Sequence, residues 1–204
     1  MTRVFQYSDN TASVIFTNES LELPHVEKVI PQWWGAMGDN VNDDTNPIVR
    51  AGACASNSGV PLYFPSTGYD RSTSRRGYKT QTGIVLDGQF DIIMDSPILC
   101  TVPYNELDAA LEIRNTKTDS AHNWQHAVCN RKFRLWVERS SSLSTFNPAD
   151  DEDVGIRLVN FCYCSVEIVC SLGFTIGVQL RSEDKMFAYN NIKIGLITDS
   201  KYLL

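Results

Sequence analysis

The apolar residues of this chain come in short alternating runs. After residue 60 each run is bounded by Gly, Asn, Asp or Ser: GIVLDG (83–88), FDIIMD (90–95), ALEIRN (110–115), FRLWVE (133–138), GIRLVN (155–160), SVEIVC (165–170), FTIGVQL (174–180) and IKIGLI (192–197). A period of two puts apolar side chains on one face of an extended strand, and frequent turn residues cut such text into many short strands. The run 161–170 also reads as strand, which places Cys162 and Cys164 on one face as small apolar residues. Asn160, Asn190 and Asn191 stand where a strand meets a turn, and Asn tolerates the left-handed backbone that turns require. Periodicity alone leaves a sandwich and a solenoid level. Both are built from many short strands, and the internal repeat is weak.

Upstream the text differs. Ala12 to Thr17 (ASVIFT) is one strand-like run, and residues 30–46 are rich in Gly, Asn and Asp, as loops are. A short helix is expected next. Asp44, Thr45 or Asn46 can cap its first amides, and Pro47 falls in the first turn, where a missing N–H costs nothing. Ile48, Val49, Ala51 and Ala55 supply its apolar positions, and Asn57-Ser58-Gly59 ends it. So short a helix must be held by packing.

Composition narrows the function classes. A formal net charge of -6 over 204 residues argues against a phosphate-binding surface, so no nucleic-acid partner is expected. Arg71, Arg75 and Arg76 are the one basic cluster that could meet a polyanion. No basic start followed by a continuous apolar run is present in the first thirty residues, so neither secretion nor membrane insertion is expected. The six cysteines form no C-x-x-C pair, and with His25, His122 and His126 they show no ligand spacing. No metal or cofactor is expected, and the thiols are read as free and buried.

The segment 32–69 carries an ordered set of matches: Trp34, Gly35, Ala36, Gly38, Asp39, then Asp43, Asp44, Thr45 and Ile48, then Gly59, Tyr63, Phe64, Pro65, Gly68 and Tyr69. It resembles the opening of the pectate-lyase-like β-helix superfamily. That opening has an aromatic residue, Gly-Ala-x-Gly-Asp, Asp-Asp-Thr, a small helix, and a Gly-Gly-x-aromatic-Pro-x-Gly-x-Tyr phrase. The later phrases VGIRLVNFCYCSVEIVCSLGFTIGVQL and YNNIKIG resemble phage tail spikes of the same superfamily. Pro47 and Ser58 depart from the pattern, and the chain stops at Lys201-Tyr202-Leu203-Leu204 within strand-like text. The resemblance implies an all-β, right-handed parallel β-helix with a short N-terminal capping helix. Residues 1–30 would be a strand and linker, and residues 31–204 a solenoid truncated at its far end. Trp34, Gly35, Gly38, Asp39, Asp43, Asp44 and Thr45 would then form the cap. N-cap and turn roles account for the three aspartates, in preference to catalysis.

The resemblance further implies a phage tail-spike or tail-fibre protein. It would be homotrimeric, assembled in the host cytoplasm with other virion tail proteins, and would bind bacterial surface polysaccharide. The alternative is a polysaccharide-degrading enzyme of the pectate-lyase or glycoside-hydrolase kind. Hydrolysis needs paired carboxylates, for which Asp91, Asp95, Glu112 and Glu138 are the candidates, with Glu167, Glu183 and Asp184 behind them. Asp91 and Asp95 share a face if their strand is straight. His122, Trp124 and His126 would form a sugar-stacking surface if extended, although Ser120 and Asn123 signal a turn. The acidic run 149–153 (ADDED) is expected to be a solvated loop.

Overall fold

The computed structural model describes residues 26–68, 76–103, 106–116, 127–140, 153–183 and 187–198. A 3-10 turn, Pro31–Trp34, precedes one helix, α1 (Thr45–Ser58). Among the described residues thirteen strands follow: β1 (Leu62–Phe64), β2 (Tyr78–Thr80), β3 (Ile84–Asp87), β4 (Ile92–Met94), β5 (Ile98–Cys100), β6 (Ala109–Arg114) and β7 (Val128–Cys129). The remainder are β8 (Lys132–Arg139), β9 (Val154–Val159), β10 (Phe161–Cys162), β11 (Ser165–Leu172), β12 (Ile176–Arg181) and β13 (Asn191–Thr198). Every run named above from residue 61 onward contains a strand. β2, β5 and β7 were not expected, and β10 lies within the expected run 161–170.

All pairings between the named strands are parallel. They make a seven-stranded sheet along β1-β4-β8-β11-β13, with β2 and β5 attached, a four-stranded sheet β12-β9-β6-β3, and the two-stranded pair β10-β7. This corrects the expected fold. In place of an all-β right-handed solenoid, three separate parallel sheets of unequal size surround the core, with a 14-residue helix packed on them. A solenoid repeat needs a steady step between register partners. Here Leu62 pairs Ile92, Ile92 pairs Phe133, Phe133 pairs Val166 and Val166 pairs Ile192, and the step changes each time.

Parallel register stacks like on like. Ile84, Leu111, Ile156 and Val178 form one apolar row across the four-stranded sheet, and each is at most 1% exposed. The same core cluster holds a second row, Leu62, Ile92, Phe133 and Val166 of the large sheet. Fully burying one such side chain contributes about 1.5–3 kcal/mol, so these two rows anchor the molecule.

Helix α1 buries Ile48, Ala51, Cys54 and Ala55 on one face and packs against the 3-10 turn and β3. Gly59, at φ 70°, closes it by donating its N–H in a hydrogen bond to the Ala55 carbonyl, the left-handed C-terminal stop that glycine permits. Its N-terminus is not capped as expected. The Asp44 side chain turns away from the helix and accepts the amides of Met37 (2.7 Å) and Gly38 (3.0 Å). Asp39 closes its own turn on Val41 and Asn42, and Asp43 accepts the Thr45 amide. Trp34 is buried, with the Trp33 ring 6.2 Å away. The expected cap residues thus organise the 35–45 segment around the helix start.

Two further expectations change. The run 161–170 is not one strand, because Tyr163 breaks it at φ 56° between β10 and β11. Cys162 and Cys164 therefore do not share a strand face; the Cys164 thiol donates to the Val128 carbonyl. Asp153, the last residue of ADDED, is buried rather than solvated. It ion-pairs with Arg139 and accepts the Thr175 amide and hydroxyl. Residues 149–152 of that run lie outside the described residues, as do residues 1–25, Tyr69, Arg71, Arg75, Asp184 and residues 199–204.

Candidate functional site

The outer face of the four-stranded sheet carries a row that is polar at three of its four positions. Val85, Glu112, Arg157 and Gln179 are register partners on β3, β6, β9 and β12. Period-two alternation explains it, since each faces away from the apolar row beside it. Arg157 is the hub. Its Nε donates to Gln179 Oε1 (2.6 Å), and its Nη1 to Glu112 Oε2 (3.1 Å) and Asp108 Oδ2 (2.7 Å). Nη2 completes a two-point contact with Asp108 Oδ1 at 2.6 Å. Such a fork fixes both the position and the ionisation of a carboxylate.

Beside this hub lies a groove of about 330 Å³. Glu106, Asp108 and Glu112 supply carboxylates to its lining, Gln81 and Thr82 supply neutral polar groups, and Val85, Val102 and Leu107 supply apolar surface. The segment 106–108 is anchored where the Asp108 carbonyl accepts the Val154 amide at the start of β9 (3.1 Å). Arg114 adds a second cation, bonding Glu112 Oε1 at 3.0 Å. The Arg157 hydrogen bonds hold the Asp108 carboxyl below the usual carboxylate range against the opposing effect of burial. The same bonds raise the Arg157 guanidinium further, so the pair is ionised throughout the physiological range.

Chemically, the groove combines hydrogen-bond acceptors with apolar surface in one lining. That combination suits a neutral ligand rich in hydroxyl and C–H groups. Proton transfer to a leaving oxygen is a different matter. It needs a carboxyl that is protonated at working pH, and Asp108 is held in the opposite state.

Of the expected catalytic residues, only Glu112 lines this groove. Asp91 and Asp95 flank β4, each with its own partners. Asp91 accepts the Lys132 amide (3.0 Å), and Asp95 accepts the Tyr63 hydroxyl (2.6 Å) and Arg134 (2.7 Å). Arg134 continues to Glu167 (3.6 Å), so Asp95 belongs to a charge row across the large sheet. Glu138 is buried and accepts the Trp136 indole N–H (2.9 Å). His122, Trp124 and His126 lie outside the described residues. Sequence reasoning missed Asp108 and Arg157. Among the described residues, no helix is long and apolar enough to cross a membrane.

No protein-family model matches the chain, and no curated protein matches it. Among solved structures, a protein titled Geobacillus virus E2 ORF18 aligns with 74% of the chain at 19% identity and a TM-score of 0.42. The chain spans 30% of that structure's length. A likeness this loose carries no argument about fold or function.

Proposed function

We propose that the chain is part of a tail-spike or tail-fibre-like virion protein that attaches to a neutral bacterial surface polysaccharide through the groove beside Arg157. The single observation behind this reading is the groove's make-up: three carboxylates and two neutral polar side chains beside apolar Val85, Val102 and Leu107. Sugar hydroxyls donate to carboxylates, and sugar C–H faces settle on apolar surface. An anionic glycan would be repelled by the same carboxylates, as nucleic acid would be by the net charge of -6. The resemblance of the later strand phrases to phage tail spikes supports the virion setting, and homotrimeric assembly belongs to the same reading.

Binding without cleavage is the form this reading takes. The test is calorimetric titration of the protein with purified capsular and O-antigen polysaccharides. A parallel assay follows new reducing ends and unsaturated uronates. Binding to a neutral glycan is expected, with affinity reduced about tenfold or more by Glu106→Gln or Val85→Asp, as loss of a well-placed contact predicts. No binding to any neutral glycan, or binding untouched by both substitutions, overturns the groove reading. New reducing ends would favour a glycoside hydrolase. Sedimentation equilibrium checks the trimer.

A further inference from the structure

A second feature stands apart from the groove. Register brings Asn130, Tyr163 and Tyr189 into one row, each one residue beyond the paired positions Cys129, Cys162 and Ala188. All three are left-handed, with φ of 55°, 56° and 57°. Successive members are joined by the same bonds: the Asn130 amide to the Cys162 carbonyl and the Tyr163 amide to the Ala188 carbonyl, both 3.2 Å. The first position holds an asparagine, which adopts this backbone readily. The next two hold tyrosine, which seldom does.

The turn itself therefore does not call for tyrosine, and neither does the core. Phe161 and Phe187, two residues earlier in each phrase, stack with each other and fill the inner side. The tyrosine rings point outward. They lie parallel at 5.0 Å and 9°, yet remain 59% and 72% exposed. Asn190 holds the turn rigid, donating to the Phe161 carbonyl (2.8 Å) and accepting the Cys164 amide (2.9 Å). Two bulky residues are thus kept in a disfavoured backbone to present ordered aromatic surface to solvent. Such outliers concentrate where a ligand is held.

We propose that the Tyr163–Tyr189 pair is a second carbohydrate site. The free ring surface receives the apolar face of a pyranose, and the phenol hydroxyls bond its hydroxyl groups. This rests on the polysaccharide reading and assigns it a contact beyond the groove. A pre-ordered aromatic pair loses little freedom on binding, as a sugar-stacking surface requires. An extended polymer could engage both places, each strengthening the other's hold.

The test uses the double variant Tyr163→Asn/Tyr189→Asn, which copies the residue already tolerated at Asn130, with the single Tyr189→Asn beside it. Probes are maltohexaose, cellohexaose and purified O-antigen or capsular polysaccharide. Binding is followed by calorimetry, and ring contact by saturation-transfer NMR on the wild-type protein. The expected result is saturation transfer from tyrosine ring protons to the sugar. Affinity should fall about tenfold or more in both variants, with a melting temperature no lower than wild type. Wild-type binding that both variants retain overturns the assignment, while loss of that binding in Glu106→Gln leaves the groove reading standing. A lowered melting temperature with unchanged affinity also overturns it, making the pair a structural stack. If the double variant does not fold, the single variant and the ring-proton signal decide. No binding by the wild type removes both readings together.

Discussion

Asp44 illustrates how much one side chain can organise. It is 1% exposed, its amide donates to the Lys79 carbonyl (2.8 Å), and its two oxygens take separate amides from Met37 and Gly38. Burial outweighs those hydrogen bonds and pushes its carboxyl up to about 6. A folded-state value above the unfolded one means that the native protein binds this proton more tightly. The group's contribution to stability is therefore complete below the unfolded value of 3.8 and is lost as pH rises through about 6. Asp44→Asn offers one acceptor where two amides need one each, so it should cost about 1–3 kcal/mol at acid pH. The gap between wild type and variant should narrow from about pH 4 to about pH 7, read by denaturant melts. A gap that widens with pH would refute this. The Arg139–Asp153 pair makes a second case at this scale. Arg139 is enclosed by the Val102 and Gly173 carbonyls and the Phe174 ring. Removing either partner strands a buried charge, so Asp153→Ala should cost about 3–5 kcal/mol, whereas Arg139→Met with Asp153→Leu should recover most of it.

At the scale of elements, close approach between strands sets the tolerances. A Cβ on Gly155 in β9 would meet Phe174 Cδ2 at 2.7 Å and the Gly177 carbonyl oxygen at 2.8 Å, with the Ser171 hydroxyl nearer still. Alanine would ordinarily improve a strand interior by roughly 0.5–1 kcal/mol over glycine. Overpacking against fixed backbone costs about 1–3 kcal/mol and decides the sign. Gly155→Ala should therefore lower the melting temperature by several degrees, measured calorimetrically; an increase would show that β9 can shift. The same scale explains what was legible beforehand. Runs such as FRLWVE and SVEIVC announce β8 and β11 because alternation persists over enough positions to be seen. β2, β5 and β7 have two or three residues each, too few for any period. The sheets' parallel partners are also invisible in the chain, so the expected solenoid gave way to three sheets with unequal steps. Glu112 stood out as an acid on a strand. Its partner Arg157 did not, nor did Asp108, because the contact between those two spans 49 positions. The alternation places Tyr163 in mid-strand, since a left-handed tyrosine has no local signature. The parallel phrases Phe161-Cys162-Tyr163 and Phe187-Ala188-Tyr189 were the available signal.

Across the whole molecule, the helix and the two large sheets close on one apolar cluster, and that makes a joint prediction about the thiols. Cys54 on α1, Cys100 on β5 and Cys164 before β11 all belong to this cluster, and all six cysteines are free. Cys129 alone is half-buried, the other five being buried. Burial pushes the Cys54, Cys100 and Cys129 thiols up, and takes Cys164 to about 11. Because the thiolate is the reacting species, both exposure and ionisation protect these groups in the folded state. A thiol reagent such as an aromatic disulfide, applied at about pH 8, should label Cys129 first and all six only in denaturant. The slow thiols carry the sharper information. If α1 and the sheets open as one unit, Cys54, Cys100 and Cys164 must react at one shared rate set by global unfolding, and denaturant must accelerate all three equally. Every strand pairing here joins distant parts of the chain, so reclosure after such an opening is slow. Earlier labelling of Cys54, followed site by site by mass spectrometry, would show instead that the helix detaches from sheets that remain closed.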